Sequence, residues 1–172
     1  MGIARMNHAV LYVRDAEASA AFYRDVLDFE VVHSMRGGAF LRAPASHNDH
    51  DIAFFSIGAA AAASEAGRRT VGLYHVAWEV ETLADLADVA RRLSEAGALV
   101  GASDHGVSKS LYAHYPDGLE FEVCWVVPRH LLDEADTAHP VTLPLDLGAA
   151  IGRYGADTPS RSLTETLDNR TA

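Results

Sequence analysis

Hydrophobic positions along the chain fall into short alternating runs and two longer helical stretches, and their order repeats. Residues 6–13 alternate as a strand does, with His8 second in Asn7-His8-Ala9-Val10-Leu11-Tyr12-Val13. Asp15 then precedes Phe22, Tyr23, Val26 and Leu27, apolar residues at helical spacing. Residues 30–34 and 39–42 read as short strands around Gly37-Gly38, and 51–57 as a fourth strand. The second half follows the same plan. Residues 71–80 read as a strand containing Tyr74-His75-Val76-Ala77-Trp78-Glu79-Val80. Thr82 and Asp85 mark a helix start, Leu83, Leu86, Ala87, Ala90 and Leu93 give its apolar face, and Gly97 stops it. Residues 98–102, 109–114 and 119–126 supply three more strands, with a Pro116-Asp117-Gly118 turn between the last two. The two histidines lie 75 − 8 = 67 positions apart. The same offset carries Ile52-Ala53-Phe54-Phe55 onto Leu119-Glu120-Phe121-Glu122. The expected fold is therefore α+β, two tandem strand-helix-strand-strand-strand (βαβββ) modules with no net insertion, and Phe55 stands where the second module has Glu122.

The modules span about 4–57 and 71–127 of one domain, residues 1–127. Between them, residues 58–70 hold five consecutive alanines without an amphipathic face, a linker with room for a helical turn. After Pro128 the character changes: four of the six prolines fall in the last 45 residues. Residues 129–135 read as a short helix and the remainder of the 128–172 extension as extended chain, a wrap or lid with Leu143, Leu145, Leu147 and Ile151 available to dock.

A net charge of −10 argues against nucleic acid or an anionic membrane surface as partner. No apolar run is long enough to span a membrane, and no leader pattern opens the chain. Cys124 is the only cysteine, so a reducing compartment and a soluble cytoplasmic protein are expected. Its place in an apolar strand suits a small buried hydrophobe better than a nucleophile.

His8 and His75 at matching places, with an acid in the last strand, form the set that binds one face of a divalent metal and leaves adjacent positions open. Imidazole and carboxylate suit Fe(II), with Mn(II) or Zn(II) as competitors. Were the modules to face each other about a pseudo-twofold axis, the two histidines would share a cleft. Glu120 and Glu122 fall on the same face of their strand, and alternation does not choose between them. A carboxylate in so apolar a run is costly unless it is paired or metal-bound.

The segment His8-Ala9-Val10-Leu11-Tyr12-Val13-Arg14-Asp15, followed by Ala21-Phe22-Tyr23-Arg24-Asp25-Val26-Leu27, resembles the opening of the vicinal oxygen chelate superfamily over roughly residues 4–127. That group includes glyoxalase I, bleomycin-resistance proteins, methylmalonyl-CoA epimerase and type I extradiol dioxygenases. The resemblance implies metal ligands at His8, His75 and Glu122, since the family's glutamate lies four residues past the turn glycine, here Gly118. Within the group, His105, Leu111-Tyr112, Pro116-Asp117-Gly118 and Glu122 look most like a single-domain extradiol dioxygenase, departing at Tyr115, where an acidic or small residue is usual. The resemblance further implies that His50 moves protons, Tyr112 donates a hydrogen bond to a substrate oxygen and His105 holds the substrate hydroxyl. Strict alternation from Phe55 would turn His50 away from a cleft, and His47 competes for its role. His33, His114, His130 and His139 match nothing and read as solvated. Met35, Phe40, Trp78 and Trp125 are candidate apolar walls.

The expected activity is Fe(II)- and O2-dependent opening of a catechol-like aromatic diol by a homodimer or higher homo-oligomer. Alternatives are a metal-dependent glyoxalase, epimerase or resistance-type enzyme, and a non-catalytic small-molecule-binding protein of the same fold. Metal-dependent relatives of the former kind carry a second carboxylate where this chain has Phe55.

Overall fold

The computed structural model describes residues 2–66, 69–137 and 140–161. They divide into two compact units, Met1–Glu65 with Tyr115–Gly118, and Ala66–His114 with Leu119–Ala172. No helix among the described residues is long and apolar enough to cross a membrane.

The first unit runs β1 (Ala9–Val13), α1 (Ala16–Leu27), β2 (Glu30–Met35), β3 (Gly38–Arg42) and β4 (Ile52–Ser56). Its sheet has the order β1-β4-β3-β2, with β1 parallel to β4 and the other pairs antiparallel. Asp15 caps α1 by accepting from the Glu17 and Ala18 N–H groups. The helix buries Ala16, Ser19, Ala20, Tyr23 and Leu27, while Phe22 and Val26 sit half-buried on its flank. Tyr23 is the hub of this core, with ring centroids 4.9 Å from Phe29 and 5.1 Å from Phe54. It also stacks on Tyr115 at 5.2 Å, and the two hydroxyls hydrogen-bond. Tyr115, the departure from the family pattern, is thus a core side chain of this unit. Asp117 in the same turn accepts from the Arg14 backbone N–H at 2.8 Å and from its guanidinium at 2.9 Å.

The second unit runs β5 (His75–Glu79), α2 (Leu83–Glu95), β6 (Leu99–Asp104), β7 (Ser108–His114), β8 (Glu120–Val126), a 3-10 turn (Arg129–Leu131), α3 (Glu134–Thr137), β9 (Leu143–Pro144) and α4 (Leu147–Tyr154). Its sheet order is β5-β8-β7-β6-β9, with β5 parallel to β8. Thr82 and Asp85 close a reciprocal capping box on α2. The helix buries Leu83, Leu86, Val89 and Leu93; Val89 takes the central place that the sequence pattern gave to Ala87 and Ala90.

Several expectations change. The first strand of each unit starts later than its apolar run, at Ala9 and at His75, because the ladder begins where Ile52 faces Ala9 and Glu120 faces His75. His8 therefore precedes its strand instead of lying within it. The repeat is also not of constant length. β1 pairs with β4 at an offset of 52 − 9 = 43, and β5 with β8 at 120 − 75 = 45. Two added residues keep every side chain on its face, and with His8 matched to His75 the counterpart of Glu122 becomes Ala53, not Phe55. Finally, the extension is not extended throughout. Asp146 caps α4 through the Ala149 N–H, Gly155 at φ 87° ends it, and Ala150 and Tyr154 are buried. Leu143, expected to dock, is 57 % exposed. Trp125, a candidate wall, is wholly buried on the helix side, where its indole N–H donates to the Thr158 carbonyl and its ring meets Tyr154. In the linker, the Ala61 N–H closes a turn on the Gly58 carbonyl. Residues 67–68, His139 and residues 162–172 lie outside the described residues.

Candidate metal centre

Each sheet has a helix-covered face and an opposite face that carries most of the chemistry. In the second unit the strand register sets that opposite face out in rows. One row is His75, Glu120 and His114; the next is Ala77, Glu122, Tyr112 and Gly101; a third is Glu79, Cys124, Ser110 and Ser103. Phe121, Val123 and Trp125 alternate with these acids and point into the core, all at most 2 % exposed.

His75 begins β5 and leans between both acids of β8. Its Nε2 lies 3.2 Å from Glu122 Oε2 and its Nδ1 lies 3.8 Å from Glu120 Oε1. The two carboxylates thus address opposite edges of one imidazole. Alternation left Glu120 and Glu122 equivalent; the ring orientation distinguishes them. His75, Glu120 and Glu122 are all half-buried.

Tyr112 is the direct cross-strand neighbour of Glu122, and His105 follows β6. His105 Nε2 and the Tyr112 hydroxyl hydrogen-bond at 2.9 Å. His105 Nδ1 meets the Val141 carbonyl at 3.0 Å. A carbonyl only accepts, so Nδ1 carries the proton; in a neutral ring, Nε2 then accepts from Tyr112. Burial, then the negative charges of Glu122 and Glu120, push the Tyr112 phenol up, so its proton stays in place at neutral pH. Sequence reasoning named both side chains but not Val141, because a main-chain acceptor has no signature in residue type.

In the first unit His8 is exposed just ahead of β1, its Nδ1 2.7 Å from Asn7 Oδ1. His50 packs its ring 4.5 Å from that of His8 and 5.2 Å, edge-on, from Phe40. Alternation from Phe55 would have turned His50 away. The loop before β4 overrides alternation because Asp51 spends its carboxylate on the Ala43 N–H, the Ser46 hydroxyl and the Asn48 amide, while Asn48 also donates to the Asn7 carbonyl. That net ties the His50 loop to the His8 segment. His47 is exposed, as are His33 and His130. His114, expected to be solvated, stands on the second unit's chemical face with Nε2 3.7 Å from Glu120 Oε2. The Glu120 carboxylate pushes up the phenol of Tyr74, a residue that sequence reasoning passed over.

The second unit's pair fits a divalent cation. An imidazole nitrogen and a carboxylate oxygen each about 2.1 Å from one ion, at right angles, stand about 3 Å apart, and Nε2 and Oε2 are 3.2 Å apart. Among the described residues no three His, Cys, Asp or Glu side chains are gathered closely enough to hold an ion. His75 and Glu122 thus bring two candidate donor atoms together, and a metal set built on them would need a third.

Residues 5–123 match the family model of the Glyoxalase/Bleomycin resistance protein/Dioxygenase superfamily. The chain is 32 % identical over 171 residues to Biphenyl-2,3-diol 1,2-dioxygenase 3 of Rhodococcus globerulus, covering 93 % of this chain and 87 % of that one. It is 31 % identical over 124 residues to Catechol-2,3-dioxygenase of Bacillus subtilis, covering 72 % of this chain and 42 % of that one. Among solved structures, a glyoxylase/bleomycin resistance protein/dioxygenase domain from Frankia sp. EAN1pec superposes with a TM-score of 0.62 at 23 % identity, covering 75 % of this chain and 96 % of that domain. A variant of the fosfomycin resistance protein FosX from Listeria monocytogenes, complexed with Mn(II), superposes with a TM-score of 0.54 at 19 % identity, over 71 % of this chain and 90 % of its own. These two structures share the fold. With the paired βαβββ units, the parallel first and last strands of each and the family match across both, the chain belongs to the glyoxalase/bleomycin resistance protein/dioxygenase superfamily.

Proposed function

We propose that this chain is an extradiol dioxygenase that opens a catechol-like aromatic diol with O2 at a bound Fe(II). The observation that carries the reading is the convergence of His75 Nε2 and Glu122 Oε2 beside a hydrogen-bonded Tyr112–His105 pair. The names of the dioxygenase relatives support it. His8, matched to His75 by the repeat, is assigned as the third ligand, and Ala53 at the counterpart of Glu122 gives the first unit no second carboxylate. Mn(II) is the next candidate, since both metals accept imidazole and carboxylate donors.

Bound Fe(II) would supply the positive charge that favours a deprotonated diol and the redox chemistry through which O2 meets the ring. The chain's own residues do the rest. Tyr112 presents a phenol that stays protonated, and as it donates to His105 Nε2 its oxygen remains able to accept from a substrate hydroxyl. His105, pinned at Nδ1 by the Val141 carbonyl, keeps Nε2 available to take a proton passed on by Tyr112. His50 is assigned the second proton-handling role; an imidazole exchanges protons near neutral pH, and Phe40 and His8 fix its ring. Diols with an added apolar ring, such as biphenyl-2,3-diol, are the first substrates to test.

The test is oxygen uptake by protein loaded anaerobically with Fe(II) and offered catechol, methylcatechols and biphenyl-2,3-diol. Uptake with a yellow ring-opened product, lost in His75→Ala and Glu122→Ala, is the expected result. Fe(II) binding without uptake for any diol overturns the reading.

A further inference from the structure

Glu120 is the acid that neither the ligand set nor the proton-handling pair uses. It lies on the same face as Glu122, one pair along β8, directly across from His75 on β5 and from His114 on β7. His114 Nε2 stands 3.7 Å from its Oε2. Its other oxygen, Oε1, is buried without a hydrogen-bond partner. His75 Nδ1 is likewise buried and without a partner. These two orphan atoms, one an acceptor and one able to donate, lie 3.8 Å apart. A buried polar atom left unpaired is costly, so two such atoms facing each other call for an explanation.

We propose that Glu120 is a positioning residue for the metal centre, accepting a hydrogen bond from His75 Nδ1–H while His75 Nε2 binds the ion beside Glu122. The assignment rests on the metal reading of His75 and Glu122. A neutral imidazole that gives Nε2 to a cation carries its proton on Nδ1, and a buried N–H needs an acceptor. The gap exceeds a hydrogen-bond length by ~1 Å, which a small turn of the terminal carboxylate closes, since that torsion has a broad minimum. His114 stands by the other oxygen, Oε2, so Oε1 is the one beside the ring. The bond would fix which nitrogen is free for the metal, hold the ring plane and raise the basicity of Nε2. Glu120 itself addresses the wrong edge of the imidazole to share an ion with Nε2.

The probe is Co(II), titrated against a chromophoric chelator into the full chain, with the visible Co(II) absorption recorded for each variant. The unsubstituted protein is expected to take up one Co(II), and Glu122→Ala to lose that uptake. Glu120→Ala is expected to weaken binding 10- to 100-fold and to alter the Co(II) spectrum. Glu120→Gln, whose amide oxygen still accepts from Nδ1–H, is expected to recover most of the affinity, a rescue that a merely structural carboxylate would not show. Thermal melts of the metal-free variants establish that each is folded. Undiminished Co(II) affinity in a folded Glu120→Ala, with Glu122→Ala inactive in binding, overturns the positioning role and leaves the metal reading standing. No uptake by the unsubstituted chain, or undiminished uptake by Glu122→Ala, overturns the metal reading and this role with it.

Discussion

Cys124 shares the chemical face with Glu122, yet burial, then the charges of Glu122 and Glu79, push its thiol up to about 12. A thiolate is the reactive form, so at pH 8 almost none is present. The expected outcome is that a disulfide reagent labels Cys124 at pH 8 far more slowly than a free thiol, and at the free rate once denaturant is added; the absorbance of the released thiol reports it. Tyr112→Phe tests the phenol beside Glu122. It removes one hydrogen bond to charged or proton-transferring partners, about 1.5–3 kcal/mol, and is expected to lower kcat roughly 10- to 100-fold while Co(II) affinity stays within a factor of three. At this scale residue type suggests chemistry: motif and resemblance single out His8, His75, Glu122, His105 and Tyr112 as candidates, and the structure brings His75 to Glu122 and His105 to Tyr112. Sequence reasoning was silent on Tyr74 and the Val141 carbonyl and read His114 as solvated, since what sets these groups apart is what lies next to them and not what they are. The same limit applies to Glu120, since alternation assigns a face but not the ring edge that a side chain addresses.

Helices α1 and α2 were legible because their boundaries are written locally. Asp15, Thr82 with Asp85, and Asp146 each cap the helix they precede. Removing a cap costs about 0.5–2 kcal/mol, so Thr82→Ala is expected to lower stability by about 1 kcal/mol in a denaturant titration with an unchanged slope. α4 escaped the sequence reading because prolines dominate its surroundings, although Asp146 and Gly155 bracket it. Its attachment depends on charge. Arg153 bonds both Asp133 and the buried Asp136. Burial works to raise the Asp136 carboxyl, but hydrogen bonds from Arg153 and the Asp133 backbone, with the charges of Arg153 and Lys109, outweigh it and hold the group below its ordinary 3.8. A depressed acid stabilises the folded state fully above its unfolded value and loses that contribution as pH falls through its folded value. Thermal stability is therefore expected to fall below about pH 4, and Asp136→Asn to flatten part of that fall; identical pH profiles for the two proteins would count against this account. Because β9 and the Val141 carbonyl belong to the same extension, loosening it is expected to release His105 as well.

Across the whole molecule, a ligand that binds only the folded chain stabilises it by mass action, about 2.7 kcal/mol at a hundredfold excess over its Kd. For a protein of this size that is a rise in Tm of roughly 5–11 °C. Anaerobic Fe(II) or Mn(II) is expected to produce such a rise, a chelator to reverse it and His75→Ala to abolish it, all read by calorimetry. The sequence by itself determined the duplicated plan, the boundaries of α1 and α2 and the residue types that suit metal chemistry, because apolar periodicity and caps act over a few residues. Only the tertiary structure decided the strand register, and with it that Ala53, not Phe55, answers Glu122, since pairing depends on where a distant partner strand begins. It also decided that Tyr115 is a core residue and that His50 turns toward His8. Those outcomes follow from packing and from hydrogen bonds between segments far apart in the chain, where no local pattern reaches.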